Sequence, residues 1–366
     1  MKKLFLIVLM VTVLFGTVWA GGGAEAPEPE VELEGEFAGK HIGFVNAGPD
    51  DYYAQFGDAL VAIAEGEYGI RVTELNSDYS PERELENVQD LIAAGVDAIS
   101  VITAGAAGSA QSIRAAYEAD VPIFFIAGRP HVLPGTDLTG HVTDNFVIAG
   151  YTVGQWVVEN HPDSTSVKIP GFLGQGPAEG QIVGYQMALA EAGMEPARIL
   201  ASSEWQRTLA IPITQDLVAS GQEYDVIFGA NEETVAGILQ VFDEWGIDDK
   251  IVISVNGKEE GWEWLEQGRM HATTPNPPSL NADLSIQQMV RHFRGEPFEQ
   301  YLQIMPFDVL TADNLEDAIP WNAENYMRGR AAGEFEYDLA FYERQYRANR
   351  ETFERFDAAL MEYMER

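Results

Sequence analysis

Short runs of β-branched and aromatic residues alternate along the chain with longer segments in which apolar residues recur at helical spacing. The short runs predict nine strands: His41–Asn46, Ile70–Leu75, Ala98–Ile102, Ile123–Ala127, Ser166–Phe172, Arg198–Ala201, Val226–Phe228, Ile251–Val255 and Met270–Thr273. The segments between them predict helices, among them Pro81–Ala94, Ala106–Glu118, Asn145–Asn160, Gly180–Ala192, Ile211–Ser220 and Glu233–Trp245. Strands and helices that alternate in this way form parallel sheets with helices on both faces.

Two loops interrupt this alternation. The loop His131–Leu138, followed by the extended stretch Thr139–Thr143, indicates one crossing of the chain, and Thr274–Pro278 indicates a second. A single sheet of nine strands is an alternative, but an α/β fold of two doubly wound parallel-sheet lobes joined by a multi-strand hinge accounts better for both loops. The predicted division is a signal peptide (1–20), a flexible linker (21–38), an N-terminal lobe (39–142 plus 275–306), a C-terminal lobe (143–274 plus 307–320) and a helical C-terminal extension (321–366).

The N-terminal stretch predicts export. Lys2 and Lys3 precede an apolar run, and Val18-Trp19-Ala20 places small residues where a signal peptidase cuts. The run is short for a membrane anchor. With no cysteine in the chain, neither a disulfide nor a lipid-bearing cysteine is expected. We therefore expect cleavage after Ala20 and a periplasmic protein without a lipid anchor.

The charge limits the possible partners. The chain has 22 lysines and arginines against 58 aspartates and glutamates, a formal net charge of −36. Nucleic acids and anionic lipids need clustered basic residues, so neither is expected as a partner. The acidity fits a solvated surface, including one adapted to high salt, and also fits an acidic docking face.

Candidate binding residues follow the predicted strands, because ligands of such sheets bind outside the carboxyl ends of the strands. The candidates combine aromatic rings, amides and a few charges, which suits a hydroxyl-rich ligand. We find no nucleophile paired with a base and no cluster of metal ligands, so we expect no catalysis, no cofactor and no metal. The predicted ligand-binding residues are Asp50, Tyr52, Tyr53, Arg129, Asp144, Glu179, Trp205, Asn231, Asn256 and Asn276.

The chain resembles a known family from about residue 40 to residue 310. The resemblance is carried by "IGFVNAGPDDYYAQFGDAL", "SPERELENVQDLIAAGVDAISV", "VPIFFIAGRP", "HVTDNFVIAGYTVG", "GYQMAL", "YDVIFGANEETVAGILQ" and "HATTPNPP". These stretches are similar to the type I periplasmic substrate-binding proteins of ABC importers, in the branch that includes the ribose- and galactose-binding proteins. The resemblance implies a monomeric receptor that passes a monosaccharide or polyol to a membrane permease.

The resemblance also implies a role for each candidate. Tyr52 and Tyr53 match aromatic positions that sandwich the sugar, and Trp205 matches the aromatic of the other lobe. Asp50 matches a position where the family often has an Asn or Asp that binds hydroxyls, Asn231 matches a ligand-binding Asn, and Asn276 matches the hinge amide. Two positions depart from the family: Glu179 lies near a position that is arginine in ribose binders, and Asn256 replaces a common aspartate. Arg129 matches the arginine of an Asp-Arg pair, but Ala127-Gly128 stands where the aspartate is expected.

Structural roles are open for the same residues. Tyr52, Tyr53 and Trp205 would serve equally as packing residues. Asn231 would cap the helix that begins at Glu232, and Glu179 would be an exposed acid at a helix start. Arg129 would form a salt bridge with Asp137 or Asp144.

Other functions are open as well. An enzyme acting on glycosides would use Asp50 and Glu179 as paired carboxylates. A sugar-responsive repressor would need a DNA-binding motif where the signal peptide stands. A sensory partner of a chemoreceptor or sensor kinase would share the same fold and differ in its docking surface.

The extension carries one apolar stripe. From about Asp338 it predicts one or two amphipathic helices whose stripe packs on the lobes or on a partner. The residues of the stripe are Leu339, Tyr342, Tyr346, Phe353, Phe356, Leu360 and Tyr363.

Overall fold

The computed structural model describes residues 33–174, 176–304 and 308–365. The predicted signal peptide and most of the predicted linker lie outside these residues. The strands are β1 (His41–Asn46), β2 (Arg71–Asn76), β3 (Ala98–Val101), β4 (Ile123–Ile126), β5 (Gly140–Asp144), β6 (Ser166–Ile169), β7 (Arg198–Ile199), β8 (Val226–Gly229), β9 (Ile251–Asn256), β10 (Ala272–Pro275) and β11 (Tyr301–Ile304).

Helices separate these strands and also follow the last one. The helices are α1 (Asp51–Tyr68), α2 (Pro81–Ala94), α3 (Ala106–Glu118), α4 (Phe146–Asn160), α5 (Pro177–Glu191), α6 (Arg207–Ala219), α7 (Glu232–Trp245), α8 (Glu259–Glu266), α9 (Pro278–Arg294), α10 (Ala323–Ala332), α11 (Leu339–Ala348) and α12 (Arg350–Met364).

The strands form two parallel sheets, which confirms the predicted fold class. The first sheet has the order β11-β5-β4-β3-β1-β2, and the second has the order β10-β9-β8-β6-β7. The nine predicted strands all occur, whereas β5 had been interpreted as an extended crossing and β11 had not been predicted. Two sheets instead of one exclude the alternative of a single nine-stranded sheet.

Each sheet is the centre of one lobe. We call the first sheet with α1, α2, α3 and α9 the first lobe, and the second sheet with α4 to α8 the second lobe. The chain crosses between the lobes after β5, after β10 and after β11. After the third crossing, Leu310 forms an antiparallel bridge with Thr273 at the end of the second sheet.

The lobes form because buried strands meet amphipathic helices. The side chains of β3, β4 and β8 are buried throughout, as expected for strands covered on both faces. Helix α2 begins at the N-cap Ser80, whose hydroxyl accepts a hydrogen bond from the Arg83 N–H at 3.2 Å, and it ends at Gly95 in the left-handed conformation. These caps fix both ends of α2 between β2 and β3.

The C-terminal extension folds onto both lobes. Helix α10 packs against α1 and α9, α11 packs against β11 and α9, and α12 packs against α4 and α5. Six residues of the predicted stripe are buried, while Tyr363 remains 41% exposed. The stripe therefore packs on the chain's own lobes, which was one of the two expectations for it. In the described part of the chain, no helix combines the length and apolar character needed to cross a membrane.

Candidate ligand-binding site

An acid and three tyrosines cluster where α1 begins. Asp50 is the N-cap of α1 and accepts a hydrogen bond from the Tyr53 N–H at 3.2 Å. Its second oxygen accepts a hydrogen bond from the Tyr79 hydroxyl. The ring centroids of Tyr52 and Tyr53 lie 5.4 Å apart, and those of Tyr53 and Tyr79 lie 6.0 Å apart. The predicted pair of tyrosines thus belongs to a larger aromatic rim of the first lobe, and Asp50 serves both as cap and as part of that rim.

The second lobe presents Trp205 on a strained turn. Trp205 has a left-handed backbone with φ of 65°, and its indole covers Gly171, the second residue after β6. The Asn231 Nδ2 donates a hydrogen bond to the Trp205 carbonyl oxygen at 3.2 Å. The Asn231 Oδ1 accepts from the Thr234 N–H at 2.9 Å and so caps α7. Asn231 therefore has the capping role that was left open, and it also fixes the loop that carries Trp205.

Asn276 joins the two lobes at the second crossing. This buried amide donates through Nδ2 to the Tyr52 hydroxyl at 3.2 Å and to the Asn256 Oδ1 at 3.5 Å. Tyr52 comes from the first lobe, and Asn256 ends a strand of the second. The structure thus brings Asp50, Tyr52, Tyr53, Asn256 and Asn276 into one chain of contacts.

Backbone strain is concentrated beside this cluster. Tyr79, Ala127 and Trp205 lie in loops that follow strands, and Asn256 is the last residue of β9; their φ values are 59°, 55°, 65° and 115°. A left-handed backbone is unfavourable for residues other than glycine and costs on the order of 1–3 kcal/mol. Such strain is typical of ligand sites, because the loops are held in one conformation by the surrounding structure.

Arg129 is paired with a residue of the extension. Its guanidinium forms an ion pair with Asp357 of α12, and not with Asp137 or Asp144 as the structural alternative had it. A cavity of about 20 Å³ lies among Arg129, Asp357, Thr143 and Pro177. A space of this size holds about one water molecule. In this conformation Arg129 faces a water-sized space.

Asp144 is buried beneath the first crossing. Its Oδ2 accepts a hydrogen bond from the Asn281 Nδ2 at 2.7 Å. Burial raises the pKa of Asp144 to about 7, and the bond from Asn281 offsets only part of that effect. A carboxyl group that is partly protonated near neutral pH can donate as well as accept a hydrogen bond.

Glu179 uses both carboxylate oxygens within its own loop. One oxygen accepts from the Gly174 N–H, and the other accepts from the Gly176 N–H at 3.0 Å. The side chain is buried, in contrast to the exposed acid of the structural alternative. These contacts form a cap at the start of α5 and favour a structural role over ligand binding.

A charged contact across the lobes was missed by the sequence reasoning. Lys258 follows β9 in the second lobe, and its Nζ lies 2.9 Å from the Asp51 Oδ2 of the first lobe and 3.3 Å from the Glu233 Oε1. Proximity to Asp51 and Glu233 raises the pKa of Lys258 even though burial opposes the charge. The signal available in the sequence was the position of Lys258, two residues after the end of a strand.

Trp321 was also missed. It stands in the extension, outside every motif of the resemblance, and is 4% exposed. Its ring centroid lies 5.3 Å from that of Tyr52, and its Nε1 donates to the Asn276 carbonyl oxygen at 2.9 Å. Trp321 therefore packs against the ring of Tyr52 and holds the backbone of Asn276 through a hydrogen bond. Within residues 33–174, 176–304 and 308–365, no three histidines or acids converge in a way that would hold a metal ion.

Residues 42–297 match the family model described as the periplasmic binding protein domain. The chain belongs to the periplasmic binding protein family. Members of this family bind solutes, and the match covers most of both lobes.

Curated relatives of this family member bind several ligands. The ribose import binding protein of Salmonella typhimurium is 22% identical over 231 residues, which cover 62% of this chain and 76% of the relative. The galactofuranose-binding protein of Escherichia coli is 21% identical over 248 residues, which cover 65% of this chain and 78% of the relative.

Solved structures share the fold. The periplasmic component of the arabinose ABC transporter from Shewanella sp. ANA-3, bound to α- and β-L-arabinofuranose, matches with a TM-score of 0.70 and 20% identity, covering 82% of this chain and 99% of the other. The Caulobacter myo-inositol binding protein matches with a TM-score of 0.70 and 19% identity, covering 78% and 98%.

Proposed function

We propose that this protein is an exported receptor that captures a monosaccharide or a related polyol between its lobes and delivers it to an ABC permease. The observation that carries the proposal is the contact of Asn276 with both Tyr52 and Asn256. This contact joins side chains of both lobes at a crossing, where a ligand bound by both would control the hinge.

The chemistry of the cluster supports a polyhydroxylated ligand. Tyr53 and Trp205 offer planar faces that suit the C–H surface of a sugar ring. Asp50, Asn256 and Asn276 offer acceptors and donors that suit its hydroxyl groups. The named ligands of the relatives, which are ribose, galactofuranose, arabinofuranose and myo-inositol, are all of this class.

Binding would act by shifting an equilibrium between open and closed lobes. The contact of Lys258 with Asp51 at 2.9 Å links the lobes across the cleft, as a closed form requires. Closure would surround the ligand and present a joint surface of both lobes to the permease. Nothing in this scheme requires a bond of the ligand to be broken.

The exported form would begin at Gly21 and act in the periplasm as a monomer. Mass spectrometry of the protein recovered from the periplasmic fraction tests the cleavage site. A mature mass that begins at Gly21 and carries no lipid supports this part of the proposal, whereas a retained signal or an acylated N-terminus contradicts it.

A melting-temperature screen tests the proposed ligand class. The mature protein is heated with pentoses, hexoses, inositols and linear polyols, and the solution is then examined for products. A ligand raises the melting temperature because it binds only the folded state. We expect at least one member of the panel to do so and to be recovered unchanged. A hydrolysed or oxidised product would indicate an enzyme, and a panel without any stabilising member would contradict the ligand class.

A further inference from the structure

The first helix of the C-terminal extension, α10, is anchored to the first lobe. On α10, the Tyr326 hydroxyl donates to the Asp283 Oδ2 of α9 at 2.8 Å, and the Arg330 Nε lies 2.7 Å from the same oxygen. Asp283 is fully buried, so this ion pair is shielded from water. Helix α10 is therefore fixed to α9.

Helix α11 is held to the same lobe by a second buried acid. Glu343 is 3% exposed, and its carboxylate accepts from the Arg291 Nη1 at 3.1 Å and from the Glu299 N–H at 2.8 Å. The Arg347 Nε donates to the Glu299 carboxylate at 2.6 Å. Helices α10 and α11 thus move with the first lobe.

Helix α12 packs on the second lobe. Its Phe356 is buried, and the ring centroid lies 4.9 Å from that of Tyr151 on α4. Arg355 forms an ion pair with Glu191 at the end of α5. Asn349 alone separates α11 from α12, because it is the C-cap of one and precedes the first residue of the other. The extension therefore passes from one lobe to the other without a linker.

Asp357 of α12 reaches back to the first lobe. Its carboxylate forms the ion pair with Arg129, which follows β4, and its Oδ2 accepts from the Gln303 Nε2 of β11 at 2.7 Å. Its Oδ1 also lies 3.3 Å from the Nδ2 of Asn145, the N-cap of α4 at the first crossing. One carboxylate thus connects two first-lobe side chains to a helix that packs on the second lobe.

The start of the extension makes a similar connection on the other side of the hinge. The Glu259 Oε1 of α8, in the second lobe, accepts from the Trp321 N–H at 3.0 Å and from the Asn322 N–H at 2.9 Å. The next residue, Ala323, donates its N–H to the Gln55 Oε1 of α1, in the first lobe, at 2.8 Å. The extension bridges the lobes at both of its ends.

We propose that α12 is an interlobe latch in which Asp357, by holding Arg129 and Gln303, keeps the lobes closed. If the lobes separate, α12 cannot stay on the second lobe and also keep Asp357 on the first, because α11 is fixed to the first lobe and only Asn349 lies between the helices. Opening must therefore break either the contacts of Asp357 or the packing of α12 on α4 and α5. The contacts of Asp357 are the weaker set, because its side chain is 26% exposed whereas Phe356 is 3% exposed. In this latch Asp357 is a positioning residue for Arg129. The connection between the latch and ligand release rests on the proposed function.

The distance between the lobes tests the latch without any ligand. Since the chain has no cysteine, two introduced cysteines take spin labels specifically. The exposed residues Gln89 of α2 and Thr208 of α6 provide one label site in each lobe. Pulsed electron paramagnetic resonance then gives the interlobe distance distribution of the ligand-free protein. The parent is compared with Asp357→Asn, Asp357→Glu and the control Glu354→Gln, which removes a charge from an exposed position of the same helix.

We expect Asp357→Asn to move population toward longer distances, with the ratio of open to closed protein rising about three- to tenfold, as for the loss of a partly screened charged contact. Asp357→Glu should restore most of the closed population, and Glu354→Gln should match the parent. The proposal is overturned if Asp357→Asn opens no further than Glu354→Gln, or if Asp357→Glu opens as far as Asp357→Asn. A melting-temperature screen that finds no ligand would refute the proposed function. The distance comparison would still decide whether Asp357 holds the lobes together.

Discussion

The indole of Trp205 can be displaced without changing Trp205 itself. A Cβ added at Gly171 would lie 2.3 Å from the Cε3 and Cζ3 atoms of the indole. Carbon atoms in contact are about 3.5–4.0 Å apart, so the Gly171→Ala change must move the ring by roughly 1.2 Å or more. Trp205 is only half-buried, so the ring can shift while the lobe stays folded.

The expected loss follows from the role of Trp205 as the second-lobe wall. Trp205→Ala removes the wall and should weaken binding by roughly 2–4 kcal/mol, a loss of about thirtyfold or more. Gly171→Ala keeps the indole but misplaces it, so a loss of about tenfold is expected. Alanine bears the same left-handed strain at residue 205 as tryptophan, so the melting temperature should change little.

Calorimetric titration with a sugar identified in the screen measures both losses. Gly66→Ala is the matched control, because no atom lies within 4 Å of a Cβ at that position on α1. The control should bind like the parent. If Gly171→Ala and Trp205→Ala also bind like the parent while remaining folded, Trp205 is a packing residue and the second wall of the site lies elsewhere.

Three further predictions concern charged groups. Burial raises the pKa of Asp144 to about 7, above its unfolded value of about 3.9, so the stability that Asp144 contributes should be full below about pH 4 and be lost as the pH rises to about 7. Burial also raises the pKa of Glu232 to about 7 and that of Asp283 to about 6, so Asp144→Asn should reduce, without abolishing, the fall in melting temperature between pH 5 and pH 8; an equal fall in both proteins would contradict this. Glu179→Gln should lower stability by about 1–2 kcal/mol through the lost cap and leave affinity within about twofold, whereas a loss of affinity in titration would restore Glu179 to the ligand set. Uronates and sugar phosphates should bind at least about a hundredfold more weakly than the neutral sugar. Arg129 and Lys258 are already paired with Asp357 and Asp51, so the negative charge of such a ligand would be buried without a partner. Tight binding of either ligand in the same titration would contradict this.

Much of the fold could be predicted because local and tertiary preferences agree. The bounds of β1, α2 and α3 are those that the periodicity predicts. The strand β5 has the sequence Gly-His-Val-Thr-Asp, whose glycine and aspartate are typical of loops, and it becomes a strand because β4 and β11 pair with it. The strand β11 has the sequence Tyr-Leu-Gln-Ile, in which a glutamine interrupts the apolar run, and it becomes a strand because β5 pairs with it.

The candidate site was only partly predictable, because local patterns locate the strand ends but do not show how distant segments pack. Strand ends meet at one edge of a parallel sheet, so Asn256 and Asn276, which end or follow the neighbouring strands β9 and β10, could be placed together from the sequence. Tyr52 comes from the other lobe and was placed beside them only by the resemblance to the family. The contact of Arg129 with Asp357 spans 228 residues and depends on how the extension packs, which no local pattern encodes. The cap at Glu179 did have a signal, since a glutamate at the third helical position can accept a hydrogen bond from the N–H of the N-cap residue, here Gly176.

Small-angle X-ray scattering of the mature protein, with and without a sugar that raises its melting temperature, tests the central claim that the lobes close around a ligand. Capture between two lobes requires the ligand to favour the closed arrangement. The account predicts a smaller radius of gyration and a narrower distance distribution on binding. An unchanged scattering profile at saturating ligand, with binding established by the melting shift, would contradict it.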